Sequence, residues 1–285
     1  MEIKKVGVVG MTGTMGTGIA QVCAQSGYQV VGFSRSEERL QKGLASITSF
    51  LTRSVEKEKI TQQDKDSTLG RIKTTTNMQD FNDCGLVIEA IVEDMDAKKK
   101  LFAELDKICP KDAILATNTS SLSVIEIAKA TTKPDKVLGL HFFNPVPLMK
   151  LMEVVKTLAT SDETIQTGKS FGESLGKTTI IAPDTPGFIV NRLQYPFRLT
   201  AIELLEAGIA TKEDIDAAAT LGLNHPMGPL ALQDLVGLDV TYAATKSIYE
   251  EIGDTKYAPP LLMKKMVSAG WLGRKTGKGF YDYNK

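Results

Sequence analysis

The stretch GVVGMTGTMGTGIAQ, residues 7–21, joins a short apolar run to a helix-like run through a glycine-rich turn. It falls one residue out of step with the dinucleotide pattern G-x-G-x-x-G. Glycines let a backbone approach phosphates, and the N–H groups and dipole of a helix N-terminus favour an anion. We therefore predict a dinucleotide-binding turn. Its expected cofactor contacts are Gly10, Met11, Thr12, Gly13, Thr14, Met15 and Gly16.

On either side of this turn, the first half of the chain alternates strand-like and helix-like runs, as βαβ units do. The strand-like runs are 6–10, 28–34, 86–92, 113–120 and 136–143. The helix-like runs are 16–27, 37–73, 95–109 and 123–131. The pattern predicts an α/β fold over residues 1–186, with a Rossmann-type, doubly wound and mostly parallel sheet that binds the dinucleotide.

After Pro186 the pattern changes to helical apolar spacing, punctuated by glycine, proline and aspartate. The helical runs are 190–209, 212–222, 229–253 and 259–270. We expect an all-helical domain over residues 187–285, with the boundary within APDTPGF, residues 182–188.

The composition is that of an ordinary globular protein, because 42% of the residues are hydrophobic and 24% are charged. Lys plus Arg and Asp plus Glu number 34 each, so the charge indicates neither nucleic acid nor a membrane surface as a partner. We expect no signal peptide, no membrane span and no metal. Cys23, Cys84 and Cys109 lie in apolar runs, which predicts buried reduced thiols and a cytoplasmic protein.

The end of the second predicted strand, in GFSRSEER (residues 32–39), bears on which dinucleotide is bound. NAD-binding folds place an Asp or Glu about 20 residues beyond the turn, where it holds the ribose hydroxyls. Ser34 and Arg35 stand there instead. A hydroxyl and a guanidinium bind the additional phosphate of NADP through charge-assisted hydrogen bonds, worth roughly 1.5–3 kcal/mol each. The sequence favours NADP over NAD; the alternative is a solvated surface arginine beside a helix cap.

The chain has two histidines, the side chains best suited to proton transfer near neutral pH. His225, in NHPMGP, lies in a proline-rich turn and is interpreted as structural. His141 ends a predicted strand at the carboxyl edge, where α/β sheets bind ligands; a satisfied core histidine is the alternative. Glu153, in KLMEVVK, would be buried in a strand and would then require a partner such as His141. The alternative for Glu153 is an exposed edge position.

Several motifs combine with these residues. ATNTSSLS, residues 116–123, places Asn118, Ser120 and Ser121 after another predicted strand, where they either cap the next helix or join the site. In order and spacing, TNTSSLS, LHFFNPVPLMKLMEVV, DTPGFIVNR, NHPMGP and GRKTGKGFY resemble the 3-hydroxyacyl-CoA dehydrogenases. The resemblance covers essentially the whole chain and is closest to the short bacterial type that acts on 3-hydroxybutyryl-CoA.

The resemblance implies an enzyme that interconverts a 3-ketoacyl-CoA and an (S)-3-hydroxyacyl-CoA, with acetoacetyl-CoA and 3-hydroxybutyryl-CoA as the expected pair. It implies proton transfer by His141 with Glu153, and binding of the substrate oxygens by Ser120 and Asn191. The positions implied to line the cofactor are Glu93, Lys98, Asn144 and Lys275. Ser120 and Lys98 are also implied to approach the CoA ester, and the helical domain is implied to form a homodimer.

Two features depart from the family pattern. The family turn is usually G-x-G-x-M-G, and here one extra residue is present, with Met11-Thr12 in place of one small residue. The second strand of the family usually ends in Asp, where Ser34 stands here. Over this segment alone the chain resembles the deazaflavin-dependent NADP reductases, which supports NADP.

The charged segment 37–73 offers Lys57 as a substrate contact, with Lys59 beside it, because a CoA phosphate would attract both. Charge runs are usually solvated faces, so this contact rests on charge alone. Three alternatives stay open: the same reaction with NAD, a related dehydrogenase of free hydroxy acids, and a catalytically idle dinucleotide-binding protein.

Overall fold

The computed structural model describes residues 3–284, and the chain divides between Thr185 and Pro186 into two compact units. We call residues 3–185 the sheet unit and residues 186–284 the helical unit. Among the described residues, no helix is both long and apolar enough to span a bilayer.

The sheet unit is built on one sheet of eight strands in the order β3-β2-β1-β4-β5-β6-β7-β8. The strands are β1 Lys5–Val9, β2 Gln29–Phe33, β3 Ile72–Thr75, β4 Leu86–Glu89, β5 Ile114–Thr117, β6 Val137–Phe142, β7 Leu151–Lys156 and β8 Thr178–Pro183. All neighbours pair in parallel except β6 and β7. The chain builds from β1 outward to β3 and then returns to β4 on the other side of β1, which confirms the doubly wound α/β prediction.

Helices cover this sheet because its inner strands are nearly continuous apolar runs, as in parallel sheets buried on both faces. The helices are α1 Thr14–Gln25, α2 Glu37–Glu56, α3 Gln62–Gly70, α4 Met95–Ile108, α5 Val124–Ala128 and α6 Asp162–Ser174. In α2, for example, Leu40, Ile47 and Leu51 form the buried stripe of an amphipathic helix. The Oγ of Ser36 accepts from the backbone N–H of Arg39 at 3.3 Å and caps the same helix.

Two parts of this unit differ from the sequence-based expectation. The run 37–73 is not one helix, because Thr61 and Asp64 form a capping box that begins α3. The polar strand β3 then follows at the edge of the sheet, where a strand pairs with only one neighbour. The segment after β7 adds α6 and β8, which were not predicted. Helix α1 begins at Thr14, two residues before the expected start.

The helical unit consists of α7 Val190–Glu206, α8 Lys212–Ala217, α9 Pro229–Val236, α10 Leu238–Ile252 and α11 Leu261–Ser268. Its core includes Leu199, Ile202 and Leu230. The Asp234 carboxylate accepts from the backbone N–H groups of Phe280 and Tyr281, each at 2.9 Å. These bonds fasten the end of the described chain to α9.

The three cysteines are free and buried, as the sequence predicts. Burial raises the pKa of the Cys84 thiol to about 12 and that of Cys109 to about 11. Burial also raises the pKa of Cys23. The thiols are therefore protonated near neutral pH and act as small apolar side chains.

Candidate active site

The carboxyl ends of the parallel strands β1, β2, β4, β5 and β6 meet at one edge of the sheet, which is where open α/β sheets bind ligands. The glycine turn follows β1 there, and the segments 90–94 and 118–123 follow β4 and β5. β6 brings His141 to the same edge. The order of the strands reverses at β1, so the turn lies at the topological switch point.

His141 and Glu153 stand directly opposite each other on the antiparallel strands β6 and β7. The Nδ1 atom of His141 lies 2.6 Å from Oε2 of Glu153, and the two residues are 6% and 0% exposed. A buried carboxylate is stable only with such a partner. The carboxylate fixes the orientation of the imidazole through Nδ1. The Phe143 ring packs against the imidazole at a centroid distance of 4.6 Å.

Two polar side chains hold the segment that follows β5. Oδ1 of Asn118 accepts from the backbone N–H of Phe142 at 2.9 Å and ties this segment to the end of β6. Both oxygens of Asp184 accept from the first N–H groups of α5, at Val124 and Ile125, at 2.9 and 2.7 Å. The sequence did not single out Asp184, because the N–H groups that it accepts from lie 60 and 59 residues earlier in the chain.

Glu93 organises the segment of Ser120. Its Oε1 accepts from the Thr119 hydroxyl, from the Ser120 N–H at 3.0 Å and from the Ser121 hydroxyl at 3.3 Å. Burial opposes the charge of Glu93, but the Lys98 ammonium and these donors outweigh it and lower the pKa of its carboxyl. Glu93 is therefore ionised near neutral pH, and it fixes the backbone on which Ser120 is presented.

Lys98 lies between two carboxylates and is only 1% exposed. Its Nζ lies 2.6 Å from Oε1 of Glu89 and 3.2 Å from Oε2 of Glu93. Glu89 is fully buried, and its other oxygen accepts from the Thr117 hydroxyl at 2.7 Å. Glu89 was not among the predicted site residues. A carboxylate inside the apolar run LVIEAIV, with a lysine nine residues later, is the sequence signal that points to it.

The glycine turn has the shape of a phosphate cradle. A Cβ on Gly16 would lie 2.2 Å from the carbonyl oxygen of Gly10, so the turn packs directly against the first turn of α1. A Cβ on Gly13 would meet nothing within 4 Å. The first N–H groups of α1 have no acceptor within the helix, and no acidic residue stands in its first turn. These residues therefore fit a dinucleotide pyrophosphate.

The additional residue of the turn, Met11, is part of the core. Its side chain is fully buried, and a Cβ on Gly32 of β2 would lie 2.1 Å from its Sδ. A Cβ on Gly43 of α2 would lie 2.4 Å from its carbonyl oxygen. Met11 thus fills the space that two glycines leave between β2 and α2, so its side chain does not contact a cofactor. Thr12 is partly exposed.

At the end of β2, Ser34 is partly buried and Arg35 is exposed. The Ser34 Oγ accepts from the Ser36 N–H at 3.2 Å. The backbone N–H groups of Gly10 and Met11 donate to the Phe33 carbonyl at 3.0 and 3.3 Å, which places the glycine turn next to the β2 end. The turn and the pair of Ser34 and Arg35 are therefore adjacent, as one dinucleotide site requires.

The segment after β6 contains Asn144, which is exposed and precedes a cis peptide bond to Pro145. The Nζ of Lys177 donates to the carbonyl oxygens of Val146 and Met149 at 2.6 and 2.5 Å and holds this segment in place. Lys57 lies at the C-terminal end of α2 and is exposed.

The helical unit contains the two remaining residues of interest. Asn191 is buried on the first turn of α7, and its Oδ1 accepts from Nε2 of Gln194 at 2.7 Å. Lys275 forms an ion pair with Asp239, with Nζ 2.7 Å from Oδ2.

Comparison with known proteins identifies the family. The sequence profile described as 3-hydroxyacyl-CoA dehydrogenase, NAD binding domain, matches residues 5–185, and that of the C-terminal domain matches residues 187–283. The chain belongs to the 3-hydroxyacyl-CoA dehydrogenase family. This confirms the resemblance drawn from the motifs, and it makes the sheet unit the domain that binds a nicotinamide dinucleotide.

Three members and neighbours of the family illustrate the likeness. A 3-hydroxybutyryl-CoA dehydrogenase of Clostridioides difficile is 50% identical over 281 residues, which cover 99% of this chain and 100% of the relative. The structure of an (S)-3-hydroxybutyryl-CoA dehydrogenase from Ralstonia eutropha has a TM-score of 0.97 and 46% identity, with both chains fully covered. The structure of a diketoreductase of dicarbonyl compounds has a TM-score of 0.83 and 29% identity, covering 99% of this chain and all of that one.

Proposed function

We propose that this protein interconverts acetoacetyl-CoA and (S)-3-hydroxybutyryl-CoA with NADP(H). The observation that carries the proposal is the buried contact of 2.6 Å between His141 Nδ1 and Glu153 Oε2 at the ligand-binding edge of a dinucleotide-binding sheet. A general acid–base whose imidazole is oriented by a carboxylate is what reduction of a ketone requires. The relatives named 3-hydroxybutyryl-CoA dehydrogenase support the choice of substrate.

The proton passes through His141. In the direction of reduction, the imidazolium donates from Nε2 to the oxygen on C3 as the ketone becomes an alkoxide; in the direction of oxidation, the neutral imidazole takes that proton back. Glu153 keeps the proton on Nδ1 and stabilises the imidazolium electrostatically. Because Glu153 is fully buried, its charge acts on the imidazole with little screening by water.

Polar side chains bind the substrate. Ser120 and Asn191 hold the oxygens of the acyl group, and Glu93 supports Ser120 through its backbone N–H. Fixed donors of this kind lower the barrier by holding the reacting atoms in place. The exposed ammonium of Lys57 attracts the phosphates of CoA.

The nicotinamide dinucleotide supplies or accepts the hydride when it is bound. The residues that hold it are the glycine turn 10–16 together with Glu93, Lys98, Asn144 and Lys275. Lys98 is already paired with Glu89 and Glu93, so its part is to fix the Glu93 carboxylate.

The preference for NADP over NAD is supported by the end of β2. Ser34 and the exposed Arg35 occupy the place of the carboxylate that binds an unphosphorylated ribose and repels a phosphate. The guanidinium provides the charge that a ribose phosphate needs.

We further propose that the protein is a homodimer of the cytoplasm. The helical unit exposes large apolar side chains that an interface between copies would cover: Leu221, Leu223, Leu235, Val236, Val240 and Leu261. The free, buried cysteines support a reducing compartment.

The experiment is a set of initial rates for the wild-type protein. We expect oxidation of NADPH with acetoacetyl-CoA, and a kcat/KM at least tenfold lower with free acetoacetate. Faster turnover with free acetoacetate would favour the alternative that the diketoreductase suggests, a reductase of free dicarbonyl compounds. Absence of turnover with all of these substrates and both cofactors would contradict the proposal.

A second comparison of initial rates tests the cofactor preference. We expect a higher kcat/KM for NADPH than for NADH, and the reverse order in the double variant Ser34→Asp with Arg35→Ile. The variant restores the carboxylate for the ribose and removes the cation for the phosphate. A wild-type preference for NADH would contradict the assignment while leaving the reaction itself intact.

A further inference from the structure

Glu89 is a buried carboxylate at the end of β4, on the ligand-binding edge of the sheet. It is 0% exposed and stands opposite Val9 on β1 and Thr117 on β5. Its Oε1 accepts from the Lys98 ammonium at 2.6 Å and from the Ile91 N–H at 2.7 Å. Its Oε2 accepts from the Thr117 hydroxyl at 2.7 Å. Three donors therefore converge on its two oxygens, and one of them carries a full charge.

The Lys98 ammonium is shared unequally between Glu89 and Glu93. Its Nζ lies 2.6 Å from Oε1 of Glu89 but 3.2 Å from Oε2 of Glu93, whose side chain is 38% exposed. Charges attract more strongly at short distance and away from water, so Glu89 holds the ammonium more firmly. The other oxygen of Glu93 accepts from the Thr119 hydroxyl and from the Ser120 N–H at 3.0 Å. A chain of contacts thus leads from the buried Glu89 to the backbone of Ser120.

Thr117 provides a second route from Glu89 to the same segment. Its hydroxyl donates to Glu89 and accepts from the Thr119 N–H at 3.2 Å. The backbone carbonyl of Glu89 also accepts from the Asn118 N–H at 2.8 Å. The side chain and backbone of Glu89 therefore restrain the three residues that immediately precede Ser120.

We propose that Glu89 is a positioning residue for the reaction: it anchors Lys98, which fixes the Glu93 carboxylate, which in turn holds the backbone that presents Ser120. Within residues 3–284, Glu89 and Glu93 are the carboxylates within 4 Å of the Lys98 ammonium. Without the charge of Glu89, the ammonium moves towards Glu93 and displaces it. Misplacement of an orienting group by about 1 Å costs up to ~10²-fold in rate. The inference rests on the proposed function, because it adds a residue to that same site.

A purely structural role for Glu89 makes different predictions. A buried ammonium needs a counter-ion, and Glu89 would then serve the fold alone by neutralising Lys98. Its loss would lower Tm, and the protein that remains folded would keep the wild-type kcat and KM. The two roles therefore differ in the rate per folded molecule.

The test is a double-mutant cycle with acetoacetyl-CoA and the dinucleotide that the wild type turns over faster. Rates are divided by the concentration of protein that binds this dinucleotide, determined by fluorescence titration. In Glu89→Gln we expect kcat to fall about tenfold and KM for acetoacetyl-CoA to stay within about threefold, because orientation is lost rather than affinity. Adding Glu89→Gln to Glu93→Gln should lower kcat by no more than a further factor of about two, because both residues act through the same bonds.

Two further variants control for loss of fold. Asp106→Asn removes a carboxylate that is 7% exposed from the last turn of α4, the helix that carries Lys98, and should keep the wild-type kcat and KM. Glu89→Asp keeps the counter-ion but shortens the side chain by one methylene, so it serves if Glu89→Gln does not fold. We expect kcat of Glu89→Asp to be about three- to tenfold lower, because Lys98 follows the withdrawn carboxylate.

The outcomes separate the inference from the proposed function. A kcat within about a factor of two of wild type in Glu89→Gln, or in Glu89→Asp where only that variant folds, overturns the inference. Effects of Glu89→Gln and Glu93→Gln that multiply also overturn it, because the two residues then act independently. An equal fall of kcat in Asp106→Asn shows that kcat follows stability and overturns it as well. Absence of turnover by the wild-type protein contradicts the proposed function itself.

Discussion

The imidazole of His141 and the carboxylate of Glu153 form the contact on which the chemistry depends. Each of these residues is unusual for its strand, because a polar group inside an apolar run must find a partner or remain in water. The antiparallel pairing of β6 and β7 places the two residues directly opposite each other, and their side chains complete the pair at 2.6 Å.

Replacement of Glu153 by Gln tests the charge of the pair while keeping its shape. We expect kcat with acetoacetyl-CoA to fall by about 10²-fold or more, because a neutral amide no longer stabilises the imidazolium and can hold the wrong tautomer. KM for the substrate should change much less. The rates are measured beside thermal unfolding, so that loss of fold is separated from loss of catalysis. A kcat within a factor of two of wild type would contradict the role given to Glu153.

The lowered pKa of Glu93 predicts a specific dependence of stability on pH. The folded state holds this carboxyl below its ordinary pKa of 4.5, so the interaction stabilises fully above that value and is lost as the pH falls through the folded pKa. The difference in the free energy of unfolding between wild type and Glu93→Gln should therefore shrink as the pH falls from 5 towards 3, when measured in urea. Glu104→Gln, at an exposed position of α4, corrects for the loss of one carboxylate. A difference that grows on acidification would contradict this account.

At the scale of elements, the glycine turn shows which part of a motif a sequence can reveal. Its position between a strand and a helix follows from the pattern alone. The burial of Met11 does not follow from the pattern, because a buried side chain and an exposed one fit the same spacing. The structure shows that the Met11 side chain fills the space beside Gly32. Strand β3 was not predicted for a related reason, because its sequence IKTT contains few apolar residues.

Two alanine substitutions in this turn separate folding from cofactor binding. Gly13→Ala should fold normally, because its Cβ meets nothing within 4 Å, but should raise KM for the dinucleotide about tenfold by crowding the phosphate position. Gly16→Ala should lower the free energy of unfolding by about 1–3 kcal/mol, because its Cβ would lie 2.2 Å from the Gly10 carbonyl oxygen. Rates and unfolding curves for both variants provide the check. If the two variants showed the same KM for the dinucleotide and the same free energy of unfolding, the phosphate cradle described for this turn would be contradicted.

At the scale of the whole molecule, the alternation of strands and helices and the change to helices near Pro186 could be predicted from the sequence. The contact between His141 and Glu153 could also be predicted, because each is a polar residue inside an apolar run. Glu89 and Asp184 were missed, since their importance depends on partners far along the chain. Glu89 reaches Thr117, and Asp184 reaches Val124, and no local pattern records such contacts.

The exposed apolar side chains of the helical unit lead to a prediction for the molecule as a whole. At micromolar concentration we expect sedimentation equilibrium to give twice the mass of one chain, because an apolar surface of this kind is covered when copies associate. A wild-type protein with the mass of a single chain would contradict the proposed homodimer. It would not bear on the chemistry proposed for the sheet unit.

The most direct test of the central claim is the rate of NADPH oxidation by acetoacetyl-CoA in His141→Ala, measured beside wild type under saturating substrates. The account predicts a kcat lower by about 10²–10⁴-fold, because the proton donor is gone. Binding of NADPH, followed by its fluorescence, should remain within a few-fold of wild type and show that the fold and the dinucleotide site are intact. A variant that binds NADPH and keeps kcat within a factor of three would contradict proton transfer by His141.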